Sequence, residues 1–342
     1  MRSAWLITAF LTACPAPSSS DSGPDRPFVY PLDDLLRVQH LQVKGTHNSY
    51  HQAPDHDAVA EWNYSHAPLR EQLSCEGVRQ FELDIHQRSS GGFDVFHVPV
   101  LDEGTSCATL RQCLGDLRSW SDASPGHHPI FVMIEPKNGY REDEVEDYLA
   151  ELEAAIDDSW PDRLLTPDLV QGHHPDLATA LAADGWPTLG EVRGHLLLWL
   201  LDRGGFSEAY TRGGTDLGGR LMFPLSEPGD PFAAVMMRDG PEGNVEAIQA
   251  LVQANYLVRT RSDSGGVESE SDGEARRDAA LESGATMIST DYPAPVEGSD
   301  YWLRLPEGTP SRCNPMTAPQ ECSSEALEDP RAIDHRWCWP SG

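Results

Sequence analysis

The chain has 342 residues, and its 25 basic against 55 acidic side chains leave a formal net charge of −30. A surface of that sign repels nucleic acid and anionic membrane alike, which excludes a binder of phosphate backbones. The length suits one large parallel α/β barrel of roughly 250 residues with additions at both ends.

Met1-Arg2-Ser3 carries a positive charge, Ala4 to Phe10 is apolar apart from Thr8, and Leu11-Thr12-Ala13-Cys14 follows. This has the form of a short export signal over residues 1–13, ending in a lipobox whose Cys14 would be lipidated and become the mature N-terminus. The apolar run is too short to span a bilayer. Residues 14–30, rich in Pro and Ser, cannot build a core and read as a tether. The expectation is therefore an exported monomer, secreted or held in the cell envelope by an N-terminal lipid anchor. Without Cys14, six cysteines remain: Cys75, Cys107, Cys113, Cys313, Cys322 and Cys338. An even number in an exported chain points to disulfides, of which six cysteines allow 15 connectivities. Cys107 and Cys113 are the expected local pair, and no CxxC spacing supports zinc.

The body of the chain, residues 31–300, alternates strands and helices. Leu41–Gly45 reads as the first strand, and residues 51–66 as a polar, His-rich loop over the strand ends. A short helix begins at Pro68, where the missing N–H does no harm, and closes at Gly77. Val78–Ile85 is the second strand, Phe93–Phe96 a short third, and Ala108–Trp120 a helix with Leu110, Cys113, Leu114 and Leu117 on one face. Pro129–Ile134 is almost wholly apolar, as a strand buried on both faces should be. Residues 141–156 carry Val145, Tyr148, Leu149, Leu152 and Ile156 at helical spacing. His195–Leu201 is a fifth strand, and a sixth lies in Leu221–Leu225 or Ala233–Met237. A helix over 244–254 leads into the strand 256–263, and a helix over 272–282 ends at Gly284 before the strand 285–291. Eight strands alternating with helices indicate an α/β fold, a TIM-type (β/α)8 barrel. Residues 301–342, which hold three cysteines, form a C-terminal extension.

Several of these strands end in ionisable residues. Asn48, Glu82, Asp84 and Glu135 stand at three separate apolar strand ends, and Glu82 and Asp84, two apart, share one face of a strand. Three carboxylates and an amide oxygen suit a hard cation; calcium tolerates such a loose set better than magnesium, and the lack of Cys and His argues against zinc. His47 and His97 each follow an apolar run and lie next to these residues. Two imidazoles across a phosphodiester can serve as general base and general acid. Lys137, Arg259 and Arg261 could hold an anionic group, although for the two arginines pairing with nearby acids is equally open. The doublets His127-His128 and His173-His174 precede prolines and read as solvated loops.

Gly45-Thr46-His47-Asn48-Ser49-Tyr50, Glu82-Leu83-Asp84, Phe96-His97 and Glu135 together resemble the catalytic X region of calcium-dependent phosphatidylinositol-specific phospholipase C, in particular its bacterial secreted branch. Val258-Arg259-Thr260-Arg261, Ser289-Thr290-Asp291-Tyr292-Pro293 and Cys313-Asn314-Pro315 extend the likeness over residues 38–340. The resemblance implies a phosphodiesterase barrel with His47 and His97 as the acid/base pair and Asn48, Glu82, Asp84 and Glu135 as calcium ligands. It also implies attack by the 2-hydroxyl of the substrate's own inositol ring, giving diacylglycerol and an inositol phosphate. Two departures stand out. Val98 follows His97 where the eukaryotic enzymes carry a Gly, and no lysine cluster suits extra ring phosphates, which favours unphosphorylated phosphatidylinositol.

Two alternatives compete. A glycerophosphodiester phosphodiesterase shares Glu82-x-Asp84, but its usual first motif has Arg where Asn48 stands. A non-catalytic lipoprotein that binds inositol or sugar phosphates would have little need of both His47 and His97.

Overall fold

The computed structural model describes residues 28–55, 60–264, 270–296, 299–307 and 310–333. The expected signal segment, Cys14 and the expected tether up to residue 27 lie outside them, as does Cys338. Ten strands are present: β1 (Leu41–Thr46), β2 (Val78–Gln87), β3 (Phe93–Val95), β4 (Ile130–Pro136), β5 (Leu196–Leu200), β6 (Met222–Pro224), β7 (Val235–Met237), β8 (Leu257–Arg261), β9 (Met287–Thr290) and β10 (Ser311–Cys313). Eight of them run in the order β6-β5-β4-β2-β1-β9-β8-β7, all parallel to their neighbours. A single parallel bridge between Leu225 and Val235 joins the two ends, so the eight strands form the expected TIM-type barrel.

One strand of the sequence reading leaves the ring. β3 pairs antiparallel with β2, from Ile85↔Val95 to Gln87↔Phe93, and is the returning arm of a hairpin above the barrel. Alternation of apolar residues marks a strand but carries no direction of pairing, so the hairpin and a barrel strand look alike in sequence. The eighth barrel position is filled because both candidates for the sixth strand, β6 and β7, exist.

β4 and β5 are buried along five consecutive residues each, because helices cover their outer faces and side chains fill the barrel behind them. The long helices Leu110–Ala123 and Val145–Ser159 turn Leu114, Leu117, Leu149, Leu152 and Ile156 onto the sheet. Thr109 caps the first of these by accepting from the Gln112 N–H. Gly77, at φ 69°, ends the turn before β2 in a left-handed conformation that glycine adopts at no steric cost. Among the described residues no helix is long and apolar enough to cross a membrane.

The C-terminal residues seal the bottom of the barrel. β10 pairs antiparallel with the start of β1, from Leu41↔Cys313 to Val43↔Ser311. Disulfides join Cys107 to Cys113 and Cys313 to Cys322, and Cys75 is disulfide-bonded as well. Glu328 reaches the foot of β2, where Arg79 donates Nε to its Oε1 at 3.0 Å, and both are buried. His128 is fully buried with Nε2 2.6 Å from Ser311 Oγ and 3.2 Å from Glu328 Oε2; His127 is buried beside it, with Nε2 2.7 Å from Ser121 Oγ. The reading of His127-His128 as solvated is therefore wrong. The segment that covers them comes from nearly 200 residues further along, beyond the reach of any local pattern. His173 is exposed and His174 partly so.

This buried polar floor makes the fold sensitive to acid. Burial holds His127 down to about 3 and His128 down to about 4. Unfolded imidazoles titrate near 6.5, so below that pH the unfolded chain binds more protons and stability falls as pH drops toward 4. Burial would raise the Glu328 carboxyl, but Arg79 and His128 outweigh it and leave it lowered, a contribution that is also lost on acidification. Between about pH 7 and pH 5 wild type should lose more stability than His128→Gln, by on the order of 2 kcal/mol for the one buried imidazole; the raised Glu82 and Asp84, which act in the opposite sense, are common to both and cancel. An equal pH dependence of the two thermal midpoints would contradict the buried, neutral floor.

Candidate active site at the mouth of the barrel

The strand register decides what meets at the C-terminal mouth. Asp84 on β2 lies opposite Glu135 on β4, and Glu82, two residues before Asp84, points to the same interior face. One carboxylate oxygen of each of Glu82, Asp84 and Glu135 lies within 4.8 Å of the others. Glu82 and Asp84 are buried, and Glu135 is partly exposed toward the opening. Asn48 follows β1 in the left-handed region at φ 43°, a conformation Asn tolerates better than most residues, and is buried. The turn is fastened to β2, since the Ser49 N–H donates to the Glu82 carbonyl at 3.0 Å and Ser49 Oγ accepts from the Glu82 N–H at 2.8 Å.

Such a cluster resists full ionisation on its own. Burial, and next the charge of Glu135, push the Asp84 carboxyl well above its ordinary range. Burial pushes Glu82 up to about 7 against the pull of Arg259. The Lys137 ammonium lies 3.0 Å from Asp84 Oδ2 and 2.8 Å from Glu135 Oε1, an ion-pair distance. Neither Asp84 oxygen, however, has a hydrogen bond of good geometry. A buried carboxylate with no well-formed hydrogen bond, in a cluster of three acids served by one lysine, fits a multivalent cation with oxygen ligands.

The two histidines are each held at Nδ1 by a carboxylate. His47 Nδ1 lies 2.8 Å from Asp291 Oδ1, leaving Nε2 facing Glu82 Oε1 at 3.8 Å. His97 Nδ1 lies 2.8 Å from Asp102 Oδ2. A carboxylate only accepts, so each ring donates from Nδ1, and His47 is left with Nε2 turned to Glu82. Burial, followed by the charges of Arg261 and Arg259, holds the His47 imidazole well below the ordinary histidine range. His97 is not at the end of a barrel strand; it follows β3 on the hairpin, with Trp62 edge-on at 5.6 Å between ring centroids.

Both arginines are engaged by acids. Arg259 Nη2 donates to Glu82 Oε2 at 2.8 Å, and Nη1 pairs with Asp239. Arg261 Nη2 donates to Asp291 Oδ2 at 2.9 Å and lies 3.3 Å from Asp263 Oδ1. Asp263 is pushed up to about 6 by burial and by Asp291, whose N–H donates back to it at 3.1 Å. The residues that sequence reasoning left without a role are Asp102, Asp263, Asp291, His51, Tyr64 and His66. Asp102 follows His97 by five residues and Asp263 follows Arg261 by two, the only local hints of these pairings.

A sequence profile described as "Phosphoinositide phospholipase C, Ca2+-dependent" matches residues 36–93 and 88–315. The chain belongs to this family. It is thus a calcium-dependent phospholipase C, a phosphoric diester hydrolase, and the glycerophosphodiester phosphodiesterase alternative gives way. No curated protein matches it in sequence. Among solved structures it is similar to the calcium-dependent phosphatidylinositol-specific phospholipase C of Streptomyces antibioticus, at 20% identity and a TM-score of 0.55 over 75% of this chain and 95% of that one. It is also similar to the calcium-dependent phosphoinositol-specific phospholipase C of a Pseudomonas species, at 18% identity and a TM-score of 0.56 over 79% and 96%. At such identities the likeness concerns the phospholipase C barrel as a fold.

If the three acids hold the calcium of this phospholipase C, Asp84→Asn separates their two effects. Without calcium the variant should unfold at the same or a higher temperature than wild type, since one member of a like-charge cluster is gone. Calcium at 100-fold its dissociation constant should stabilise wild type by about 2.7 kcal/mol and the variant far less. Equal calcium-induced shifts in thermal scans would remove Asp84 from the ligand set.

Proposed function

We propose that this phospholipase C cleaves phosphatidylinositol by acid–base catalysis between His47 and His97, at a calcium ion held by Asn48, Glu82, Asp84 and Glu135. The observation that carries the reading is the pair of imidazoles, each with Nδ1 on a buried carboxylate, His47 beside the cluster of three acids and His97 near enough for its charge to act on His47. Bound calcium would polarise the phosphoryl oxygens and ease deprotonation of the attacking hydroxyl.

His47 is the general base. A base has to be neutral, and burial with two arginines at hand keeps this ring so. Its Nε2 takes the proton of the inositol 2-hydroxyl as that oxygen bonds to phosphorus. The bond from phosphorus to the glycerol oxygen breaks, and His97, which as the acid enters the step with a proton on each nitrogen, gives its Nε2 proton to the leaving oxygen, releasing diacylglycerol and a cyclic inositol phosphate. Lys137 lies within reach of the same mouth as a cation for the phosphate, and Arg261 acts through Asp291. Arg259 would steady Glu82 rather than touch substrate.

Residues 1–13 would be removed on export and Cys14 lipidated, with the tether giving the barrel, residues 31–300, and its C-terminal extension, residues 301–342, reach over a membrane. A chain of charge −30 gains little from an anionic surface on its own, so an anchor with more than one acyl chain resolves the conflict with an anionic lipid substrate.

His47→Ala and His97→Ala should each lower turnover on phosphatidylinositol by roughly 10²–10⁴ while folding and binding calcium normally. Near wild-type turnover in either variant would remove that residue from the mechanism. Cys14→Ser should move the protein to the soluble fraction with its activity on dispersed short-chain substrate intact. Retention on membranes as firm as wild type would contradict the anchor.

A further inference from the structure

The carboxylate behind His97 serves a second imidazole that the reaction does not use. Asp102 is fully buried, and its Oδ2 accepts from His97 Nδ1 at 2.8 Å. From the other side, His51 Nε2 lies 2.9 Å from both Oδ1 and Oδ2 of the same group. His51 is itself fully buried, and its Nδ1 lies 2.9 Å from the Tyr64 carbonyl oxygen. Carbonyl and carboxylate oxygens only accept, so both His51 nitrogens stand as donors, one to each partner.

The backbone is built to bring the two together. Asp102 closes a five-residue turn after His97, with the Val98 and Asp102 N–H groups each donating to the other's carbonyl, at 2.9 and 2.8 Å. Val100 at its tip has φ 70°, a strained conformation for a β-branched residue. The next residues run antiparallel to the segment of His51: the Ser106 N–H donates to the Tyr50 carbonyl at 2.8 Å and the Gln52 N–H to that of Gly104 at 3.2 Å. A Cβ on Gly104 would sit 2.1 Å from the Gln52 carbonyl oxygen, so only glycine permits this approach.

We infer that Asp102 is the positioning residue for His97, and that His51, tied to the Tyr64 carbonyl and to both oxygens of Asp102, fixes Asp102 in that role. A buried carboxylate without donors is costly, and one free to rotate would not hold the imidazole in a single orientation. The arrangement parallels the other histidine, where Arg261 stands behind Asp291. The inference rests on His97 being the general acid.

Leaving-group dependence tests it. Asp102→Asn should lower kcat on phosphatidylinositol by roughly 10²-fold or more with KM nearly unchanged, as loss of the correct tautomer does. The same variant should lose much less on an inositol phosphodiester with a nitrophenyl leaving group, which departs without a proton. His51→Leu should behave like Asp102→Asn, and His51→Gln, whose amide can still donate to Asp102, should recover part of the loss. Nitrogen-15 spectra of wild type provide a readout independent of activity and of variant folding: His51 should be protonated on both nitrogens, and His97 on Nδ1. A neutral His51 in those spectra, or equal losses on both substrates in Asp102→Asn, would overturn the inference. So would full activity of Asp102→Asn alongside an inactive His97→Ala, an outcome that leaves the roles of the two histidines standing.

Discussion

Three acids in one dry corner of a barrel repel one another, and the mouth of this one is organised around offsetting that charge. Parallel pairing of β2 with β4 sets Asp84 beside Glu135, and the two-residue repeat of a strand adds Glu82 on the same face. Arg259 and Lys137 neutralise part of the cluster, yet Asp84 keeps two oxygens without hydrogen bonds. That deficit is what a calcium-dependent enzyme of this family calls for, and the cation would complete the charge balance that the side chains leave open.

The same constraint explains the surroundings of the two histidines. Each is backed by a buried carboxylate, and each carboxylate is met by a donor from its far side: Arg261 for Asp291, His51 for Asp102. Burial that would otherwise discharge these groups instead fixes their geometry. The strands give precision to His47, which follows β1, whereas His97 rides on a hairpin and relies on a short hydrogen-bonded turn. Loop residues carry half of the proposed chemistry on a scaffold whose core, continuous from β1 through β6, does not need to move.

Much of this was legible in the sequence because local pattern and chemistry coincide there. Apolar runs ending in Asn48, Glu82, Asp84 and Glu135 marked both the barrel and the candidate ligands. What pattern could not supply was pairing across distance. Phe93–Val95 alternates as a barrel strand would and turned out antiparallel. His127-His128 resembles a loop doublet, and only Glu328 and Ser311, folded back from the C-terminal segment, make it part of a buried floor. His51, Tyr64 and His66 lay in a stretch that composition describes as polar loop, yet all three are buried against the site. Polar residues in such a stretch are solvated or satisfied internally, and the sequence carries no sign of which.

In the proposed reaction His47, His97 and the acid cluster drive attack by the substrate's own hydroxyl on phosphorus. Phosphorus-31 spectra recorded while the purified protein acts on phosphatidylinositol, with calcium and with a chelator, test it most directly. The expected result is a five-membered cyclic phosphodiester that appears before any phosphomonoester, and only with calcium. Direct appearance of the linear monoester carrying oxygen from isotopically labelled water, or turnover undiminished in chelator, would contradict it.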